Sequence, residues 1–511
     1  MKKVVIIGAG FGGLSLGLRL QARGYEVTVL DKQSQPGGHA VRLQERGYTF
    51  DMGPSLITAP ELIEELFRLA GKRMEDYLTL VPLDPYYRIY FWDGSFLDYT
   101  GDAERMKAQI AALSPGEEKA YDAFMERSRQ FYKAVIIDGL GERPFTWREL
   151  WKFLPQALRL GAFRSSYSLA ARYFRDERLR FTFSFHPLFI GGDPFLAPAV
   201  YQMIPYLEKT GGVWYAYGGM HAVAEALAKV FQEIGGTLFL ETEAEEIRVR
   251  NGRAYAVRSS KGEFPADIVV SNADYYHTFT RLLPEPYRLS PFKKQMLWYS
   301  MSAFILYLGV RRTYPERLPH HTIALGPRYK GLVKDIFRRK VLAEDFSLYL
   351  HVPTRTEAGM APPGSESLYV LSPVPNLQAK IDWAKAADTY AEKIIRSLEE
   401  RIGLKGLRDS IEVRAQFTPE DFMRERNCGF GAAWGPEPVL WQTAVLRPSN
   451  RHKRIPNLFL VGAGTHPGAG VPGVLLSAKA TERALVEAYP LSSRSQSKLY
   501  EGAAFLELRE R

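Results

Sequence analysis

The feature that most constrains this chain of 511 residues is a glycine-rich turn near each of its ends. The first follows residues 4–7, VVII, and reads GAGFGG before a helical pattern over residues 14–22. A run apolar at every position predicts a strand buried on both faces, as in a parallel sheet. A second strand, EVTVL (26–30), completes a compact βαβ unit. Gly8, Gly10 and Gly13 give G-x-G-x-x-G in that setting. The first glycine permits the tight turn, the second lets backbone approach a pyrophosphate, and the third lets helix pack on strand. Free N–H groups and the partial positive charge at the helix start favour phosphate. Asp31 closes the second strand, where a carboxylate accepts from ribose hydroxyls and favours an unphosphorylated ribose. The second turn follows another short apolar run, NLFLVG (457–462), and reads GAGTHPGAGVPG before a last helical pattern.

Between the turns the pattern changes. Residues 61–132 read as mostly helical, broken by YYRIYFWDGSFLDYT, whose Asp93-Gly94 predicts a hairpin turn. Residues 143–185 are helical, basic and aromatic, and residues 219–234 form an amphipathic helix with Val223, Leu227, Val230 and Phe231 on one stripe. Strands follow it, two of them joined at Asn251-Gly252, and residues 300–375 alternate as strands do. This order predicts one cofactor domain assembled from separated segments, with a second domain between them.

Composition excludes several classes. The single cysteine, Cys428, allows no internal disulfide and fits a reducing compartment. No apolar run of transmembrane length is present, and Met1-Lys2-Lys3 leads into a strand, so neither a membrane span nor a secretory signal is expected. The net charge of +10 comes without a nucleic-acid-binding motif, so no nucleic-acid partner is expected; a basic surface facing anionic lipid is the competing explanation. His320-His321 form a pair with no third ligand at suitable spacing, so no metal is assigned.

Further motifs carry a family resemblance. Gln35-Pro36-Gly37-Gly38-His39 and Asp51-Met52-Gly53-Pro54-Ser55 resemble elements of the flavin amine oxidase superfamily. The C-terminal stretch, with FSFHPLFIGGDPF (183–195), GGVWYAYGGMHAVAEAL (211–227), SNAD (271–274), HHTIALGPRYK (320–330) and LAEDFSLYLHVP (342–353), resembles bacterial-type phytoene desaturases over nearly the whole chain. The resemblance implies FAD as cofactor. The two turns then serve one ligand: Gly8, Gly10, Gly13, Asp31 and Lys32 at the adenine half, Gly38, His39, Pro54 and Ser55 along the ribityl chain and ring, and Gly462, Gly464, Val471 and Pro472 at the ring end. Ala244 matches a position whose main chain meets adenine. His39 stands where the superfamily usually has Arg, and Ala463-Gly464 where many members carry an acid.

The fold expected is α/β: a discontinuous Rossmann-like FAD-binding domain with an inserted antiparallel-sheet substrate domain and a helical, membrane-associating region. Residues 1–100, 215–280 and 451–490 form the cofactor domain, 101–214 the helical region, 281–450 the substrate domain, and 491–511 a loosely ordered tail. The resemblance implies desaturation of phytoene by hydride transfer to flavin and proton loss from the adjacent carbon. Polar candidates are His466, as proton acceptor or as a brace of the turn, and Arg164, at a tunnel mouth or against lipid phosphate. Residues 143–180 hold nine Lys/Arg against three Asp/Glu, interleaved with Trp147, Trp151 and Phe163, a composition that suits a helix in the headgroup layer or an amphipathic helix packed on the core; the resemblance implies the first, at the cytoplasmic face of a membrane. With no second dinucleotide turn, the electron acceptor expected is a quinone or oxygen. Rival readings are a carotenoid isomerase, a ketolase, a desaturase of a thirty-carbon analogue, an amine oxidase, and a flavin-free lipid-binding escort.

Overall fold

The structure, a computed structural model, describes residues 1–491; beyond its first residue, the tail expected at 491–511 lies outside the described residues. The two ends of the chain meet in one five-stranded sheet. Its strands lie in the order Leu458–Leu460, Ile268–Ser271, Lys3–Ile7, Glu26–Leu30 and Thr237–Phe239, and every pairing is parallel. Val4 is flanked by Ile268 on one side and Val27 on the other, and Val270 lies beside Phe459. Strands so placed are covered on both faces, which is why VVII and Ile268, Val269 and Val270 are apolar at every position.

Three helices follow from the same apolar patterning. Phe11–Ala22, Gly219–Glu233 and Val471–Ala488 bring Leu14, Leu18, Val223, Leu227, Leu475 and Leu476 into one core with Ile6 and Val270. The first and last helices of the described chain pack directly on each other. Asp51 braces the start of Gly219–Glu233: its Oδ1 accepts from the Met220 N–H at 2.9 Å. Burial pushes this carboxyl up to about 7.

A seven-stranded sheet stands beside the cofactor sheet, ordered Ile411–Phe417, Ser302–Val310, Glu366–Val374, Leu348–His351, His321–Ala324, Tyr87–Tyr90 and Phe96–Tyr99. It is antiparallel except where His321–Ala324 runs parallel to Tyr87–Tyr90. The Asp93-Gly94 hairpin forms as expected, but its strands join this sheet and not the cofactor sheet of the segment in which the sequence places them. Along Ser302–Val310 all nine residues are buried and the faces alternate. Phe304, Leu306 and Leu308 pack on the helix Trp383–Ser397, while Ala303 and Ile305 line a central cavity. The Asn251-Gly252 turn also forms, with both residues at positive φ, as a tight antiparallel hairpin requires.

Candidate active site

The central cavity runs from the ends of the parallel strands to the face of the seven-stranded sheet. Its first limb is built from both glycine turns. Gly8 has a φ of +99° and Gly462 a φ of +97°, conformations an L side chain rarely adopts. Asn272, just past the strand Ile268–Ser271, stands between the turns. Its Nδ2 donates to the Gly8 carbonyl at 3.2 Å. A Cβ on Gly12 would meet Asn272 Oδ1 at 2.6 Å and the Gly462 Cα at 3.1 Å, and a Cβ on Gly462 would overlap the same Oδ1. Turns from opposite ends of the chain are thus in contact through one amide side chain.

Both turns open into helices that no side chain caps, at Gly10 and at Gly470. Their first turns border the cavity, which Gly10, Phe11, Gly12, Gly470, Val471, Pro472 and Gly473 line. Two uncapped helix starts on one cavity provide donors and positive potential for an anionic ligand. Asp31 lies beside the first. Its Oδ2 accepts from Ala9 N–H at 2.7 Å and its Oδ1 from Gln33 N–H at 2.9 Å, which orients the carboxylate and leaves lone pairs for hydroxyls. Burial raises its pKa above the usual range, against the pull of those two N–H bonds.

Of the residues the sequence assigns to the cofactor, Gly8, Gly10, Asp31, Lys32, Gly38, His39, Pro54, Ser55, Ala244, Gly464, Val471 and Pro472 line this one cavity. Gly13 and Gly462 stand behind it. A Cβ on Gly13 would collide with the Gly8 carbonyl, so Gly13 serves the packing of helix on strand. Burial, with Arg426 nearby, pushes the His39 imidazole down to about 4, so it is neutral at pH 7. The positive charge comes from elsewhere. Arg426, distant in sequence, lines the cavity, donates to Gln33, and forms no ion pair among the described residues. Asp274 is another residue that sequence reasoning missed. It lines the cavity, accepts from the Tyr299 hydroxyl at 3.1 Å and from His277 N–H at 3.1 Å, and is pushed up to about 6 by burial.

The second limb is apolar. Leu188, Phe189, Ile190, Met203, Ile204 and Leu207 face Ala303, Ile305, Ile323 and Leu371 of the seven-stranded sheet. The Tyr329, Tyr349 and Tyr369 phenols on this limb are buried and their pKa values are raised, so they stay neutral. Ser55, at the junction, lies 2.6 Å from the Tyr349 hydroxyl.

The two catalytic candidates of the sequence lie off the cavity. His466 turns away from it: its Nε2–H donates to the Leu140 carbonyl at 3.1 Å, its ring packs on Phe145, and burial pushes it down to about 4. The geometry gives it the role of bracing the turn. Arg164 lines a separate surface pocket. The expectation that His320-His321 lack a third imidazole is corrected, because strand pairing sets His321 opposite His351. The three rings are buried, with ligand atoms within 4.8 Å of one another, and His320 Nε2 lies 3.1 Å from His351 Nε2. Sequence spacing misses a partner supplied across two strands.

The cradle fits FAD. It offers two uncapped helix starts for a diphosphate and a ring, an acid for ribose, and glycines where any side chain would fill the space.

Comparisons with known proteins agree with this geometry. The family model described as flavin containing amine oxidoreductase matches residues 11–485. A phytoene desaturase (lycopene-forming) of Pseudescherichia vulneris is 43% identical over 494 residues, covering 95% of this chain and 99% of that one. A phytoene desaturase (neurosporene-forming) of Rhodobacter capsulatus is 42% identical over 499 residues, covering 96% and 94%. Among solved structures, an oxidoreductase from Methanosarcina mazei matches with a TM-score of 0.64 at 18% identity, covering 94% of this chain and 100% of that one, a likeness of fold. The chain therefore belongs to the flavin containing amine oxidoreductase family, in its branch of bacterial phytoene desaturases, and its cofactor is FAD.

Proposed function

We propose that this chain desaturates phytoene toward lycopene in carotenoid biosynthesis. The observation that carries the reading is the two-limbed cavity: a polar cradle for a dinucleotide opens onto a limb walled by hydrocarbon side chains and neutral phenols. The relatives named as phytoene desaturases support it.

Each desaturation takes a hydride and a proton from adjacent carbons. Bound FAD supplies the hydride acceptor. The chain supplies position and dryness. Gly8, Gly10 and the two helix starts would hold the diphosphate and the ring end, Asp31 would hold the ribose, and Arg426 would offset the diphosphate charge. The uncapped start of the helix Val471–Ala488 would favour negative charge at the ring end of the bound cofactor. Leu188, Phe189, Ile305 and Leu371 exclude water and hold a long hydrocarbon in line. Within this wall Glu208 lines the cavity and is fully buried; it accepts from the Tyr87 hydroxyl at 2.9 Å, faces His186 Nε2 at 3.4 Å, and leaves Oε1 without a partner. A fixed carboxylate in a low-dielectric wall stabilises positive charge developing on an allylic carbon. That charge delocalises along the polyene and makes the neighbouring proton acidic enough for a weak acceptor, such as water at the polar limb of the cavity, to take it.

In this reading the cofactor domain is drawn from residues 1–100, 215–280 and 451–490, with the strands Tyr87–Tyr90 and Phe96–Tyr99 lent to the sheet of a substrate domain inserted at 281–450. The helical region 101–214 is the part that meets a membrane. The substrate dissolves only in lipid, and the protein sits peripherally on the cytoplasmic face, with a quinone or oxygen taking the electrons. Among the described residues no helix is long and apolar enough to cross a membrane.

The test is incubation of the purified holoenzyme with phytoene in liposomes and analysis of the products. More highly conjugated polyenes are expected. Double-bond isomers without oxidation would instead mark an isomerase, and unchanged phytoene beside folded, yellow protein would refute the substrate.

A further inference from the structure

The helix Trp147–Leu160 has two apolar faces. Its inner face, Phe153, Ala157 and Leu160, packs on Phe131, Leu169 and Ala199. Its outer face carries Trp147, Trp151 and Leu158, which helical spacing sets on one stripe and which are 59%, 66% and 63% exposed. Phe163, just past the helix, is exposed as well. A contiguous exposed patch of this kind marks an interaction surface.

Beside the C-terminal end of this helix lies a surface pocket lined by Arg127, Arg159, Arg164 and Arg172, with Leu158, Leu160, Leu169 and Tyr173. No carboxylate lines it. Among the described residues none of these four arginines forms an ion pair, whereas Arg129 pairs with Glu126 and Arg178 with Asp176. Arg127 Nη1 donates to the Arg159 carbonyl at 3.2 Å, which fixes one wall. Four guanidiniums without counter-charge, gathered beside exposed tryptophans, are complementary to a phosphate at the boundary between headgroups and acyl chains.

We propose that Arg127, Arg159, Arg164 and Arg172 form a binding pocket for the phosphate of an anionic phospholipid, which fixes the Trp147, Trp151 and Leu158 face among the acyl chains. The proposal rests on the reading that the helical region meets a membrane. It gives that contact a functional position. The inner face of the helix packs on the segment Ala199–Met203, whose Tyr201 and Met203 line the central cavity, so a single layer separates the lipid-facing stripe from the cavity wall.

The experiment is co-sedimentation of the holoenzyme with phosphatidylcholine vesicles and with vesicles containing phosphatidylglycerol. It compares the wild type, Arg164→Gln/Arg172→Gln and Trp147→Ser/Trp151→Ser, with melting curves to verify folding. Each arginine near an anionic surface contributes roughly fivefold to affinity, so the arginine variant is expected to lose about 25-fold for the anionic vesicles and to bind phosphatidylcholine as the wild type does. The tryptophan variant is expected to lose binding to both. Anionic-vesicle binding unchanged in a folded arginine variant would overturn the pocket while leaving the membrane reading intact. Failure of the wild type to bind either vesicle would overturn both. Calorimetry with inorganic phosphate alone distinguishes the source: arginine-dependent binding as tight as that to vesicles would assign the pocket to free phosphate and overturn the lipid assignment. Self-association abolished by the tryptophan variant, without vesicle binding, would assign the face to a second copy of the chain and overturn it equally.

Discussion

Replacing Gly462 with alanine perturbs the contact on which the cofactor cradle depends. At a φ of +97° a side chain costs roughly 1–2 kcal/mol. The new Cβ also overlaps Asn272 Oδ1 and displaces that side chain, which breaks its 3.2 Å bond to the Gly8 carbonyl. Losing a buried hydrogen bond costs about 0.5–1.5 kcal/mol. The apo protein is therefore expected to lose about 2–3 kcal/mol of stability. Because Asn272 orders the first turn as well, FAD affinity falls by about tenfold, the equivalent of roughly 1.4 kcal/mol. Gly94→Ala is the control. Gly94 has a similar φ of +84°, but nothing lies within 4 Å of its Cβ position, so only the backbone strain is paid. Flavin fluorescence titration reads the affinities and chemical denaturation the stabilities. If Gly462→Ala binds FAD as tightly as Gly94→Ala does, the turns are not coupled through Asn272 and the reasoning fails.

Other predictions follow from the same geometry. Asp51 has a folded pKa raised to about 7, so its contribution to stability is fully present at low pH and is lost as pH rises through 7. Between pH 4 and pH 8 the wild type is expected to lose on the order of 3–4 kcal/mol relative to Asp51→Asn, which cannot titrate; parallel denaturation profiles of the two proteins would contradict this. Arg426→Gln removes the cavity's unpaired guanidinium and is expected to raise the FAD Kd by roughly 10- to 100-fold, with a weaker dependence on salt than the wild type shows. Glu208→Gln is expected to slow anaerobic flavin reduction by phytoene on the order of 100-fold while FAD affinity stays unchanged; an unaltered rate would remove the carboxylate from the mechanism.

Much of the cofactor cradle is legible because glycine chemistry is local. Gly8, Gly10, Gly38 and Gly464 announce close backbone approach by type and spacing, and the strands beside them are apolar throughout because both faces are covered. What is not legible comes from long-range pairing. Arg426 reaches the limb where His39 takes the place of an arginine, and nothing in its own neighbourhood marks it. Asn272 lies in a motif the sequence analysis quotes, yet its contact with both turns needs the strand order of the parallel sheet. His351 joins His320 and His321 only through the register of two strands. Arg164 shows the opposite case: its charge is plain in the sequence, while its neighbours Arg127 and Arg172 come together only when the helices pack. His466 stands within the glycine-rich turn, but the direction of its ring is set by the Leu140 carbonyl, far away in the chain.

The central claim is that both ends of the chain hold one FAD beside a limb that takes a polyene. Anaerobic mixing of the holoenzyme with phytoene in liposomes tests it most directly, with the visible flavin absorbance followed while products are quantified. The account predicts bleaching of the flavin with one new double bond formed for each flavin reduced. Desaturated product appearing with the flavin still oxidised, or bleaching without product, would contradict it.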